Sequence, residues 1–434
     1  MERITFPLFA LLAALPFYIP SLWFLSFFAF IPLFVNRSLR AHLWFGFVYG
    51  VALYWFLVKA IFLITGSLFL TVFLFAVIVS LYSLLQFGLS NLLTRLGLFY
   101  PLSFTLVEVF RLFFPFNGTP YGYLGKVLVN APLLGLSLHY ATVFGGTLFI
   151  LTANYLLYKV IERWEIEGKR YLAALGGLIF AFLLPAAVYK ATLKIPSYGL
   201  QIAIVQPFVE QIDKLRNGEF VKLYTERWLL TVPPSVDLVL LPETAIPAPE
   251  EGAIYDFVKS FSQFNLIFGV QSLLFDFERL SLEARNLVVY ARKGKIAGVY
   301  AKTILVPFGE YTPKGFHFLE RFIPYLGGID YSPGEGETLF VVNGVKLLPK
   351  VCNEVFYPLW GSKALKEADA VAVLSNDAWF GGNFARRHLD EVRLRAIETG
   401  KVFIFVNNNG YSGVVLPNGE YRGIPDAIVQ LISF

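Results

Sequence analysis

Cysteine and methionine are almost missing from this 434-residue chain, each appearing once, at Cys352 and Met1. One cysteine excludes an internal disulfide, and no Cys/His spacing reads as a structural zinc site. Charge is scarce as well. Asp, Glu, Lys and Arg make up 15% of the residues, where soluble domains carry roughly 25%. The net charge of +5 is too small to argue for nucleic acid, and beside apolar spans it speaks to topology first. No internal repeat or low-complexity segment is present. What fills the chain is apolar: 56% hydrophobic and 17% aromatic, a membrane-protein composition.

A helical span needs about 20 mostly apolar residues. The run 4–35 is too long for one, and Pro16 and Pro20 break it, which predicts two short spans at 4–18 and 21–35. Further spans are expected at 41–64, 68–93, 98–114, 133–158 and 171–189, seven in all. The first stretch lacks a small-residue cleavage motif and reads as a retained anchor, not a signal peptide. Positive charges collect at alternate ends: Arg37 and Arg40, then Arg95, then Lys159, Arg163, Lys169 and Arg170. The positive-inside rule puts those ends in the cytoplasm and everything after Lys190 on the other side. Glu108 and Arg111 share a face of the fifth span. They are expected to form either an intrahelical ion pair that locks the bundle or a polar floor beneath a headgroup site. The turn-rich, aromatic loop 117–125 would brace the outer domain or line the approach of a lipid.

Composition changes after Ile195. Apolar, β-branched runs predict strands at 199–205, 236–241, 266–270, 286–290, 296–301, 338–342, 346–352, 369–375, 402–407 and 413–416. Helices are expected at 211–230, 251–262, 358–366 and 384–399. Residues 292–295 read as a hairpin turn, and Asn418-Gly419 closes another. Alternating strands and helices with apolar central strands argue for an α/β layered domain. The chain thus divides into an all-α transmembrane bundle, 1–190, and an extracytoplasmic α/β domain, 196–434. Segment 311–333 scatters Tyr311, Phe316, Phe318, Phe322, Ile323, Tyr325, Leu326 and Tyr331 through a Gly- and Pro-bearing run. It reads as an interfacial lid or arm, or else as rings packed on the core.

The reactive stretch is Lys350-Val351-Cys352-Asn353-Glu354. A lone cysteine is by default a small buried hydrophobe. As a nucleophile it must be a thiolate, so a base or a positive field has to accompany it. Glu243, Lys302 and Cys352 all fall at the ends of predicted strands, where open α/β sheets build their sites. Together they supply a base, a cation and a nucleophile, the set that acyl transfer through a thioester requires. Glu310 adds a second acid. A lysine beside the cysteine also favours the resting thiolate.

Four phrases carry a resemblance: Leu-Pro-Glu243-Thr-Ala, Lys302 with Leu-Val-Pro-Phe-Gly-Glu310-Tyr-Thr-Pro, Cys352-Asn-Glu354, and Ser375-Asn-Asp-Ala-Trp-Phe-Gly381. In this order after a span bundle they resemble the nitrilase superfamily, and more narrowly its membrane branch, the apolipoprotein N-acyltransferases. The resemblance implies a nitrilase αββα sandwich and a ping-pong acyltransferase. It makes Glu243 the general base, Lys302 the oxyanion-stabilising cation and Cys352 the nucleophile. Glu310 and Glu354 become supporting residues, and Trp379, Asn353 and Tyr311 substrate contacts. His388 and Arg395 to Glu398 would lie on the helix behind the site. It implies a phospholipid acyl donor and, as acceptor, the N-terminal amine of the diacylglyceryl-cysteine of an apolipoprotein, the final step of lipoprotein maturation. No metal and no diffusible cofactor is called for, and a monomer in the bacterial inner membrane with a periplasmic catalytic domain is expected.

Three departures stand out. Asn353 replaces the tyrosine usual after the nucleophile, a tryptophan expected after the first strand is replaced near Leu215, and the family's last span is not found before Phe434. A membrane-tethered amidase using water as acceptor is the alternative, and a non-catalytic scaffold a more distant one.

Overall fold

The computed structural model describes residues 2–246, 251–276, 281–328 and 330–434. It divides into two compact units, Met1–Phe62 with Ser67–Leu193 and Gly381–Asn383, and Leu63–Gly66 with Lys194–Phe380 and Phe384–Phe434.

The first unit is helical. Among the described residues, Leu68–Arg95, Leu134–Glu162 and Gly168–Thr192 are each long and apolar enough to cross a membrane. Leu39–Tyr54 and Leu57–Thr65, bent by 74° at their junction, make a fourth if taken as one broken span. Thr5–Phe17, Pro20–Val35 and Tyr100–Phe110 are shorter apolar helices. Leu68, Phe69, Val72, Phe73 and Leu81 face outward while Thr71, Phe75 and Val79 are buried. A helix that turns its apolar residues away from the protein is one built for lipid, and the protein is a membrane protein. Proline marks the break in the first apolar run as expected. Pro16 and Pro20 fall in 3-10 turns, Leu15–Phe17 and Pro20–Phe27, because each lacks the N–H that would continue an α-helix.

Glu108 and Arg111 do not pair. Glu108 accepts from the Leu124 N–H at 2.8 Å and from Thr147 Oγ1 at 2.6 Å. Arg111 donates to Gln86 Oε1 at 3.0 Å, to the Tyr54 hydroxyl at 3.1 Å, and to the carbonyls of Thr119 and Tyr121 at 2.9 and 2.6 Å. Both charges therefore tether the segment after their own helix, which turns inward as a buried 3-10 helix, Leu124–Asn130. Its backbone groups need partners that lipid cannot supply, and these side chains supply them.

The second unit is an αββα sandwich of two six-stranded sheets. Its strands are β1 (Gln201–Val205), β2 (Leu238–Leu240), β3 (Leu266–Asp276), β4 (Ser281–Arg292), β5 (Lys295–Ala301), β6 (Phe340–Val342), β7 (Val345–Val351), β8 (Ala370–Asn376), β9 (Val402–Asn408), β10 (Gly413–Val415), β11 (Tyr421–Arg422) and β12 (Val429–Ser433). The sheet orders are β12-β1-β2-β3-β4-β5 and β11-β10-β9-β8-β7-β6. Strand alternation assigns each face. Ile202, Ile204, Leu238, Leu240 and Val288 point into one core with Leu347, Ala370, Ala372 and Ile404 of the other sheet. Their neighbours Ala203, Val205, Val239 and Val289 point the opposite way, against Leu229, Phe257 and Phe261 of the covering helices Gly218–Leu229 and Glu251–Ser260. Phe384–Thr399 covers the second sheet, its buried His388 ring 5.0 Å from that of Phe405.

The expected hairpin at 292–295 forms with Lys293 and Gly294 both at positive φ, 50° and 73°, the geometry that suits the twist of two antiparallel strands. Four expectations need adjustment. The helix at 358–366 is shorter and later, Lys363–Glu367, capped by Ser362 Oγ accepting from Leu365 N, because Pro358 and Gly361 precede it. The helix at 211–230 is two, divided at Asn217, whose side chain caps the second. β12 was not anticipated. Finally, segment 311–333 is packed only in part: Ile323 and Leu326 are buried, Phe318 and Phe322 exposed, and Ile329 lies outside the described residues.

Candidate active site

Glu243 follows β2 in a turn where Thr244 takes φ 49°. Backbone packs tightly behind that turn. A Cβ at Gly269 of β3 would stand 2.6 Å from Glu243 Cα and 2.6 Å from Thr244 N, so only glycine fits. Lys302 follows β5. Tyr300 belongs to the inter-sheet core, and two residues on, with the same parity, Lys302 points inward too. Cys352 opens the 3-10 turn Cys352–Phe356 directly after β7, with φ 46°. A non-glycine residue held there stores strain of order 1 kcal/mol or more. The surroundings of the turn impose it.

Glu354 does much of this. One oxygen accepts the Val351 N–H at 2.7 Å, and the other accepts Thr303 N at 2.8 Å and Thr303 Oγ1 at 2.7 Å. The Tyr300 hydroxyl donates to it at 2.7 Å. The carboxylate thus ties the residue before Cys352 to the residue after Lys302. From the outer layer, Arg395 donates to the carbonyls of Val355 and Phe356 at 3.0 and 3.1 Å, while pairing with Glu398 and Glu391. His388 holds Asp377 Oδ1 at 2.8 Å, and Asn407 holds Oδ2 at 2.6 Å.

The charges converge. Lys302 Nζ lies 2.9 Å from Glu310 Oε1 and 3.8 Å from Glu243 Oε1, and it is 1% exposed. Glu310 Oε2 accepts the Val306 N–H at 2.7 Å. Burial would lower the Lys302 ammonium, but Glu310, Glu243 and Cys352 outweigh it and raise it, so the cation is fixed. Glu243 is raised, by burial first and by Glu310, against Lys302. The Cys352 thiol is raised well above its ordinary range by burial, then by the Glu243 charge, with Lys302 opposing. The expected resting thiolate is therefore corrected. The carboxylates of Glu243, Asp377 and Glu310 and a dry setting outweigh one ammonium, and the thiol keeps its proton until a base takes it.

Asn286 was missed in the sequence. Its Nδ2 donates to Glu243 Oε1 at 2.7 Å and to Glu310 Oε1 at 3.1 Å. The signal was a polar residue on the inward parity of β4, in line with the core residues Val288 and Tyr290. Asn353 Nδ2 donates to the Ile304 carbonyl at 3.2 Å, and its buried Oδ1 has no partner among the described residues. The Trp379 ring sits edge-on to Tyr325 at 6.0 Å, whose hydroxyl donates to the Gly309 carbonyl at 3.1 Å. Tyr311 pairs with Pro307 around Glu310. Among the described residues no group of three or more His, Cys, Asp or Glu could hold a metal.

Fold and site define a carbon-nitrogen hydrolase domain carried behind an apolar helical region. The carbon-nitrogen hydrolase model matches residues 201–422, and the model of the apolipoprotein N-acyltransferase N-terminal domain matches 9–156. An apolipoprotein N-acyltransferase of Aquifex aeolicus (strain VF5) is 35% identical over 348 residues, 78% of this chain and 76% of its own length. One from Rhizobium rhizogenes (strain K84 / ATCC BAA-868) is 29% identical over 87% of this chain and 75% of its own. A solved carbon-nitrogen hydrolase superfamily protein from Xanthomonas campestris is 19% identical, covering 54% of this chain and 90% of that one, with a TM-score of 0.41. The chain belongs to the apolipoprotein N-acyltransferase family. It is an acyltransferase, and a tethered amidase is not favoured.

Proposed function

We propose that the enzyme moves a fatty acyl chain from a phospholipid to the N-terminal amine of the diacylglyceryl-cysteine of an apolipoprotein, through a thioester on Cys352. The observation that carries this is the Lys302 ammonium between two carboxylates, 2.9 Å from Glu310 and 3.8 Å from Glu243, with both Glu243 and Lys302 acting on the Cys352 thiol. Glu243 Oε1 is occupied by Asn286, so Oε2 takes the thiol proton as Sγ attacks the ester carbonyl. Lys302 stabilises the oxyanion, worth about 3–4 kcal/mol for a good donor. The lysophospholipid oxygen leaves with the proton from Glu243. The acceptor amine then attacks the thioester and Glu243 receives its proton; the C–S bond breaks, and Sγ leaves as a thiolate that takes the proton back from Glu243. Tyr311, Asn353 and Trp379 line the substrate path.

The helical region 1–190 supports seven crossings in this reading, with the positive ends in the cytoplasm. Domain 196–434 then lies on the periplasmic face of a bacterial inner membrane, and the enzyme acts as a monomer without a diffusible cofactor. The test is intact-mass spectrometry of the full chain incubated with phosphatidylethanolamine. An acyl adduct on Cys352, absent in Cys352→Ala and discharged by a diacylglyceryl peptide but not by water, is expected. Turnover with no adduct at any quench time removes the covalent scheme, and discharge by water alone restores the amidase.

A further inference from the structure

Lys214, in the short helix Gln211–Arg216, is 7% exposed. A buried ammonium ordinarily meets a carboxylate. This one does not. Its Nζ lies 3.3 Å from the Glu243 carbonyl, 3.2 Å from the Thr244 carbonyl and 3.3 Å from Thr244 Oγ1. Its three N–H donors thus meet three oxygens of a single turn, the one in which Thr244 is left-handed and against which Gly269 packs without room for a Cβ. Among the described residues no fourth acceptor competes for Nζ, and the Glu243 carboxylate is the one charge that acts on it.

We infer that Lys214 is a positioning residue for the Glu243 base: it clamps the turn that aims the carboxylate and keeps a positive charge behind it. This rests on the reading of Glu243 as the base. Burial lowers the Lys214 ammonium to about 7, against the Glu243 charge, which raises it. An ammonium near neutrality is one whose charge the site can change. The groups that act on Glu243 are Lys302 and Glu310, Asn286 by hydrogen bond, and Lys214. Glu243 in turn acts on Cys352 and Tyr331. Of the two cations, Lys302 touches the carboxylate side and Lys214 the backbone side. Losing Lys214 removes one of the two positive charges that favour the ionised base.

The experiment measures single-turnover adduct formation on Cys352 from phosphatidylethanolamine vesicles across pH, in the full chain, with circular dichroism as the check of fold. Four variants are compared with wild type: Lys214→Met, Lys214→Gln, Lys214→Arg and Glu243→Gln. Gln keeps a donor for the carbonyls and lacks the charge, so it decides the matter should Met not fold. In Met and Gln the acid limb of the rate profile moves upward by about one pH unit, so the rate falls by roughly tenfold at pH values well below the limb, while Arg keeps the limb in place. A folded Lys214→Gln enzyme with the wild-type limb overturns the inference, since a merely structural lysine lowers the rate without moving the limb. Glu243→Gln forming adduct at the wild-type rate instead overturns the base assignment, whatever the Lys214 variants do.

Discussion

Asn286 holds Glu243 by one oxygen only, Nδ2 to Oε1 at 2.7 Å, and leaves Oε2 without a hydrogen bond among the described residues. The same amide reaches Glu310 Oε1 at 3.1 Å, where Lys302 also donates. Glu310 Oε2 is taken by the Val306 N–H. Of four carboxylate oxygens, one is open to receive a proton.

Asn286→Ala is expected to slow adduct formation while leaving the domain folded. Hydrogen bonds to charged groups contribute about 1.5–3 kcal/mol each. If the Glu243 bond is expressed fully in the transition state, the rate falls by about 10–150-fold. Lysophospholipid release in micelles reads it. A change below twofold would mean that backbone packing alone aims the base.

The thiol gives a separate handle. Cys352 is raised by burial and by Glu243, and lowered by Lys302. The sign follows directly: removing the negative neighbour lets the thiolate form at lower pH, and removing the positive one delays it. At pH 7.5, Glu243→Gln is therefore expected to alkylate with iodoacetamide faster than wild type, and Lys302→Met slower. Each rate changes about tenfold for every pH unit by which the thiol's titration moves. Slower alkylation in Glu243→Gln would show that the carboxylate assists that reaction as a base rather than opposing it as a charge.

How far the sequence reached follows from which signals are local. Glu243, Lys302 and Cys352 each end an apolar run, and their convergence needed only the two sheets to face each other. Glu354 was legible as a site residue, but not as the tie between Val351 and Thr303, because the Thr303 bond reaches a residue 51 positions away. Asn286 and Lys214 read as an ordinary strand polar and an ordinary helix lysine. Their partners come from elements that only folding brings near. β12 pairs Val429–Ser433 with β1, more than 200 residues earlier. No local pattern marks such a partner. Conversely the resting thiolate was misread because Lys302 was weighed without the depth of burial, which depends on every element packed around the sulfur.

Gly269→Ala isolates the geometry of the base. The added methyl meets Glu243 Cα and Thr244 N at 2.6 Å and the Pro242 carbonyl at 2.7 Å, all backbone, so the turn must move. Overpacking of this kind costs about 1–3 kcal/mol in stability. A loss of activity of 100-fold or more is expected, because a displacement near 1 Å at a reacting group is enough for that. Equal rates in Gly269→Ala and wild type would show that the turn has slack that the packing hides.

Arg395 tests whether the outer helix shapes the nucleophile turn. Its guanidinium is fully buried, donates to the carbonyls of Val355 and Phe356, and is flanked by Glu398 and Glu391. Arg395→Met takes the cation from beside two buried carboxylates, and breaking such a pair costs about 3–5 kcal/mol. For a domain of this size each kcal/mol is about 2–4 °C of Tm, so a fall of about 6–20 °C in a thermal scan is expected. The triple change with Glu391→Leu and Glu398→Leu removes those two charges as well and should recover part of that loss, since apolar replacement of a buried ionic group is often neutral or better. The carbonyls of Val355 and Phe356 remain unclamped in both proteins, however. The recovered protein should therefore still form the Cys352 adduct slowly. If stability and adduct rate return together, Arg395 serves the core and not the turn.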